Sequence, residues 1–149
     1  GGKVIQFPED DVRVMGRAAA GVRGMKVADS DALIEGCVVG SQDMYIFTIS
    51  ETGMGKISSL EEYREQGRGG SGIKVSATTT KTGKIIAAFT LSEEEKQAKS
   101  VILVSRSGQT VRLPLADIRI TGRNTQGVIL AKLKDTDDTF TSATLAEEE

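Results

Sequence analysis

The 149 residues (15.8 kDa) suit one ordinary domain or a short array of units, and exclude two large independent domains. With 38% hydrophobic and 27% charged residues, and 19 basic against 21 acidic side chains, the chain is neither a disordered polyelectrolyte nor a uniformly basic nucleic-acid binder. The absence of histidine removes Ser-His-Asp and Cys-His catalytic groups, and a single cysteine removes both an internal disulfide framework and a cysteine-cluster zinc site. Cys37 reads as a small buried apolar residue. The longest apolar run, residues 85–89, falls far below the roughly 20 residues that cross a bilayer, and no signal-peptide core opens the chain. A cytoplasmic location without membrane contact is expected. The lack of tryptophan and the scarcity of other rings argue against stacking on unpaired bases.

In chain order, the first stretch opens at a turn, Gly1-Gly2-Lys3, and carries short apolar segments at residues 25–27 and 37–39. A hairpin follows, with residues 45–49 rich in β-branched and aromatic side chains ahead of the Thr52-Gly53 turn. Gly55-Lys56-Ile57 looks like the end of a phosphate loop, but Ser50 stands where that loop opens with glycine and Ile57 where it needs Ser or Thr. Apolar segments recur at 73–75 and 85–89, then a charged stretch, Ser92-Glu93-Glu94-Glu95-Lys96, reads as a surface loop. Residues 101–104 and the Ser107-Gly108 turn predict a second hairpin, followed by strands within 128–133 and 140–145.

One pattern underlies this order. Gly2, Gly53 and Gly108 each precede a second glycine by 14 residues (Gly16, Gly67, Gly122) and a third by a further five (Gly21, Gly72, Gly127). Each second glycine is followed by arginine (Arg17, Arg68, Arg123), and each is preceded by an acid and an apolar-arginine pair ending in Arg13, Arg64 or Arg119. The copies lie 51 and then 55 residues apart, and the extra four residues fall around Glu93. Units of about 50 residues with about four short strands each predict an all-β, propeller-like array, because a lone small sheet leaves an apolar face uncovered. The expected units are approximately 2–43, 44–98 and 99–146, together forming one domain over residues 1–149. The first lacks the leading strand of its siblings, so the natural polypeptide is expected to continue upstream, and two copies of the exposed half array could cover each other.

The charge is uneven. Residues 2–26, 53–74 and 106–134 hold 15 of the 19 basic residues and only 7 of the 21 acidic ones. An arginine recurring beside a glycine suits successive phosphates along a duplex. For Arg13, Arg64 and Arg119 an alternative is equally open: ion pairs with Asp11, Glu62 and Asp117 on the same strand face. Arg17, Arg68 and Arg123 have no acid at a fixed near offset, which favours the phosphate role. Lys3, Arg23, Lys56, Lys74 and Arg112 would extend the basic rim or simply be solvated. No residue is assigned to catalysis, metal or cofactor binding, and the acidic runs leave a protein-interaction scaffold as the rival class.

The repeated Gly-Arg unit, with Phe7-Pro8-Glu9-Asp10-Asp11-Val12-Arg13-Val14-Met15-Gly16-Arg17 and Ile118-Arg119-Ile120-Thr121-Gly122-Arg123-Asn124-Thr125-Gln126-Gly127-Val128, resembles the C-terminal domain of bacterial DNA gyrase A subunits. The resemblance implies a β-pinwheel of about six strand-exchanging blades, of which these would be the last three, whose basic perimeter wraps duplex DNA. It also implies a non-catalytic part of an ATP-hydrolysing type IIA topoisomerase, with the remainder of the gyrase A polypeptide and the gyrase B polypeptide as partners. The family's Gln-(Arg/Lys)-Arg-Gly-Gly-(Arg/Lys)-Gly box has its nearest match at Gln66-Gly67-Arg68-Gly69-Gly70-Ser71-Gly72, where glycine and serine replace two basic residues. Topoisomerase IV A subunits carry a related disc and are the alternative family. Tyr45 and Tyr63 read as packing residues, since the strand-breaking tyrosine belongs to another domain.

Overall fold

Segments rich in β-branched and aromatic residues fit a pleated, half-buried backbone, and they fold as antiparallel strands in the computed structural model, which describes residues 1–40 and 44–147. The strands are β1 (Lys3–Val4), β2 (Met44–Ser50), β3 (Met54–Ser59), β4 (Ile73–Lys74), β5 (Ile85–Ser92), β6 (Lys99–Ser105), β7 (Thr110–Pro114), β8 (Val128–Ile129) and β9 (Phe140–Glu147), with a short helix α1 (Glu93–Ala98). A 3-10 turn recurs once per unit, at Glu9–Asp11, Leu60–Glu62 and Leu115–Asp117. The architecture is all-β, as the repeat predicts.

Three sheets run β1-β4, β5-β2-β3-β8 and β7-β6-β9. Their strands are exchanged between units. β4 of the second unit pairs with β1 of the first (Lys3 opposite Lys74, Val4 opposite Ile73), and β8 of the third pairs with β3 of the second (Met54 opposite Ile129, Gly55 opposite Val128). The two junctions share one register, counted from Gly2 and Gly53 on one side and from Gly72 and Gly127 on the other. Each junction covers a strand edge that would otherwise be open.

The core sits between units. Phe47, Ile49 and Leu91 of the second pack with Val101, Leu103, Leu115 and Phe140 of the third, and Phe47 stacks on Phe89 with ring centroids 6.2 Å apart. Successive side chains of a strand point to opposite faces, so Ile46 joins Leu60, Tyr63 and Val75 in a second cluster beside Val4 of the first unit. With both faces covered, the whole run from Ile46 to Ser50 is buried.

Three local expectations are corrected. The charged stretch is not a loop: Ser92 and Glu95 form a reciprocal capping box, which satisfies otherwise orphaned N–H groups and starts α1 there. Lys96 on this helix is buried, its ammonium 3.5 Å from the Leu115 carbonyl. The segments at 25–27 and 37–39 are not strands, so the described part of the first unit contains only β1. Residues 34–40 match β5 and β9 in position after the third glycine, but those strands lie against β2 and β6, and residues 34–40 have no such neighbour among the described residues. For the same reason Cys37 is exposed rather than buried. The sheets accordingly hold two, four and three strands rather than four in every unit.

Candidate nucleic-acid interface

Each 3-10 turn delivers an arginine two residues beyond its last residue. The turn closes through a backbone bond to its first carbonyl, from Val12, Tyr63 or Ile118, and the next residue is Arg13, Arg64 or Arg119. All three arginines are exposed. None makes a hydrogen bond or ion pair with a described residue, so the alternative pairing with Asp11, Glu62 and Asp117 does not form. Glu62 faces the next unit instead, where both its carboxylate oxygens accept from the Arg123 backbone N–H at 3.1 and 3.2 Å. The three guanidiniums thus occupy one repeated corner with no ion-pair partner among the described residues.

The Gly-Arg arginines behave differently. Arg68 donates from Nε to the Asp11 carbonyl (2.9 Å) and from Nη1 to the Arg23 carbonyl (3.1 Å), both in the preceding unit. Arg123 donates from Nη1 to the Lys74 carbonyl at 3.1 Å, and Lys74 is the second unit's counterpart of Arg23. These arginines fasten one unit to the next, though each keeps donors free, since a guanidinium carries five. Arg17 is exposed and has no partner among the described residues. The box-like segment from Gln66 to Gly72 works in the same junction: Gly69 N–H donates to the Gly24 carbonyl and the Gly70 carbonyl accepts from Lys26 N–H.

Lys3 and Lys74, assigned to separate units in sequence, lie opposite each other across β1 and β4, both exposed. Like charges directly opposed on a sheet repel, and neither lysine has an ion-pair partner among the described residues. An anion at this spot would relieve the repulsion. Arg23 is exposed nearby in sequence to the junction, whereas Arg112, exposed on β7, donates to the Glu147 carbonyl at 2.6 Å.

Lys56 does not belong to a solvent-facing rim. It is 1% exposed, and its ammonium donates to the carbonyls of Gly122, Arg123 and Thr125, bridging the second unit to the third unit's Gly-Arg loop. An isolated lysine in a strand pattern gives no hint of this, because the acceptors lie more than 60 residues away. Burial pulls its pKa from 10.5 down to about 8, with the Glu62 carboxylate opposing and the Arg123 guanidinium adding to the shift. Between about pH 8 and 10.5 the unfolded chain keeps a proton that the native one sheds, so this lysine makes stability rise with pH across that window, by at most about 1.4 kcal/mol per pH unit. Urea unfolding of wild type and Lys56→Met over this range should show that rise in wild type and its loss in the variant. Parallel curves would contradict the assignment. Tyr63 is also interior: its hydroxyl meets Ser58 Oγ at 2.7 Å, and burial raises its pKa.

Known proteins resemble this chain in sequence and in fold. Residues 1–35, 45–92 and 99–146 match the family described as DNA gyrase C-terminal domain, beta-propeller. The chain belongs to the DNA gyrase A C-terminal domain family. Its relatives include the DNA gyrase A subunit of Kosmotoga olearia, 39% identical over 142 residues, and that of Pseudomonas aeruginosa, 41% identical over 132 residues. The matches cover 95% and 89% of this chain but only 17% and 14% of those proteins. A solved DNA gyrase A C-terminal domain superposes with a TM-score of 0.80 at 25% identity, over 97% of this chain and 47% of that one. The C-terminal domain of DNA topoisomerase IV superposes with a TM-score of 0.85 at 21% identity, over 98% and 44%, and shows the common fold. The gyrase-type β-pinwheel therefore accounts for the three matched segments and for the strand exchange between them. No helix among the described residues is long and apolar enough to cross a membrane, and they contain no cluster of three potential metal ligands.

Proposed function

We propose that this chain is a DNA-holding module of a type IIA topoisomerase, gripping duplex by its phosphates and contributing to its wrapping. The reading is supported above all by Arg13, Arg64 and Arg119, three exposed guanidiniums at one repeated corner with no partner among the described residues. The opposed pair Lys3 and Lys74, with Arg17 and Arg23, adds positive charge around the first junction. Arg68, Arg123 and Arg112 contribute only the donors left over from their carbonyl contacts, and Lys56 contributes through the loop it holds. Phosphate contacts carry no base information, so sequence preference should be low. The chemistry of strand breakage and ATP hydrolysis is assigned to the remainder of the gyrase A polypeptide and to the gyrase B polypeptide, the expected partners in the cytoplasm, and this chain acts without metal or cofactor.

Fluorescence anisotropy with a random-sequence duplex tests the proposal. Binding should appear at low salt near micromolar protein, the strong end of the ordinary non-specific range of about 10⁻⁴ to 10⁻⁶ M, and log K should fall linearly with log salt. No binding under those conditions would favour a protein-interaction scaffold instead.

A further inference from the structure

The first junction holds its incoming loop through the backbone. Gly69 N–H donates to the Gly24 carbonyl, and the Gly70 carbonyl accepts from Lys26 N–H. Ile5, the first unit's counterpart of Lys56, lies against this loop, its Cδ1 3.5 Å from where a Cβ on Gly70 would stand. The second junction is fastened by a side chain instead. Lys56 donates to the carbonyls of Gly122 (3.2 Å), Arg123 and Thr125 (2.8 Å), and Thr125 is the counterpart of Gly70. An ammonium carries three donors, so this grip uses all of them.

A trans peptide sets a carbonyl and the following N–H on opposite sides of one plane, and no peptide bond among the described residues is cis. Three carbonyls converging on Lys56 therefore turn the N–H groups of Arg123, Asn124 and Gln126 away from it. That of Arg123 already faces an anion, the Glu62 carboxylate. Those of Asn124 and Gln126 have no acceptor among the described residues, and both residues are exposed. The matching donor of the first junction, Gly69 N–H, is consumed by Gly24. Arg119, exposed at its corner, and Arg123 add positive charge in the same stretch of chain.

We infer that Lys56 is a positioning residue for phosphate binding, holding residues 122–126 so that the N–H groups of Asn124 and Gln126 cradle one phosphate oxygen of a duplex backbone. Backbone N–H groups turned to one side of a loop make an anion-binding concavity. The inference rests on the DNA-holding reading and adds that a lysine buried away from the duplex sets part of its affinity. Only the charged form can hold all three carbonyls, because a neutral amine has one donor fewer. A phosphate in the cradle, across the peptides from the ammonium, favours that form, so binding near the pKa of about 8 should draw a proton onto Lys56. The charged groups acting on Lys56 are Glu62, from the 3-10 turn after β3, and Arg123, from the loop itself. Tyr63 stays neutral, its pKa raised by burial, and Thr48 and Val128, on the neighbouring strands β2 and β8, do not titrate.

Anisotropy with a random-sequence duplex between about pH 7 and 9, and calorimetry in two buffers of different ionisation enthalpy, test this. Wild type should lose about tenfold in affinity by about pH 9 and take up a proton on binding there, since the free protein has shed it with a pKa of about 8. Unfolding does not explain such a loss, because the titration of Lys56 makes the fold more stable as pH rises. Glu62→Gln removes the carboxylate that supports the ammonium and should move the loss to lower pH. Lys56→Met should flatten the pH profile, abolish the uptake and reduce the salt slope by about 0.9, the share of one phosphate. In nuclear magnetic resonance titrations at about pH 7, the Asn124 and Gln126 amide signals should shift with duplex in wild type. Duplex binding that is equally tight at both ends of the pH range, or that leaves those two amides unmoved, would overturn the inference and leave the DNA-holding proposal standing. Absence of duplex binding at every pH would remove both.

Discussion

Alanine at Arg13, Arg64 and Arg119 together should reduce the slope of log K against log salt by about 2.7, since each lost phosphate contact removes about 0.9. The effect should be close to additive, because the three arginines sit in different units and share no partner. It should leave unfolding stability nearly unchanged, as none of the side chains makes a bond to a described residue that its removal would break. Arg68→Ala and Arg123→Ala provide the contrast. Each deletes donors to carbonyls of the preceding unit, so each should lower stability by about 1–3 kcal/mol while changing the salt slope less. Anisotropy titrations at several salt concentrations, paired with urea unfolding, separate the two classes. A triple variant with the wild-type slope would remove these arginines from the interface.

Gly53→Ala should be among the most damaging single substitutions, at about 3–4 kcal/mol. Its φ of +86° disfavours any side chain, and the new Cβ would stand 2.2 Å from the Ala131 carbonyl oxygen and 2.9 Å from the Phe140 ring. Relieving the clash means moving β8 away from β3, which breaks the bonds from Leu130 and Ala131 to the Gly53 carbonyl and opens the side of the larger core cluster. Gly108→Ala is the matched control. It has similar φ but nothing within 4 Å of its Cβ position, so its cost should stay near the roughly 1–2 kcal/mol of backbone strain alone. Equal losses in urea midpoint for the two variants would show that the close approach across the junction carries no weight.

Both predictions rest on the difference between position in a unit and partner across a junction. The spacing of Gly2, Gly53 and Gly108 is enough to reveal three units and to align Arg13 with Arg64 and Arg119. It also locates the four-residue insertion, which the structure builds as α1. It leaves open whether an acid two residues away holds each arginine. Glu62 turns instead to the Arg123 backbone N–H in the next unit, a donor that it satisfies with both carboxylate oxygens.

Lys56 and Cys37 mislead for the same reason in opposite directions. A lysine on a short strand looks solvated until a neighbouring loop arrives with three carbonyls, and a cysteine in an apolar run looks buried until its sheet partner is found missing among the described residues. Local composition carries the β preference of each segment, its turns and the repeat, because these depend on residues within a few positions of one another. The sequence alone therefore determined the all-β class, the threefold unit and the sites of recurring charge. Which cations face solvent and which clamp a neighbour was decided only by tertiary structure, since hydrogen-bond partners here are contributed by the adjacent unit, about 50 residues away, and burial follows from that packing rather than from the side chain's own polarity.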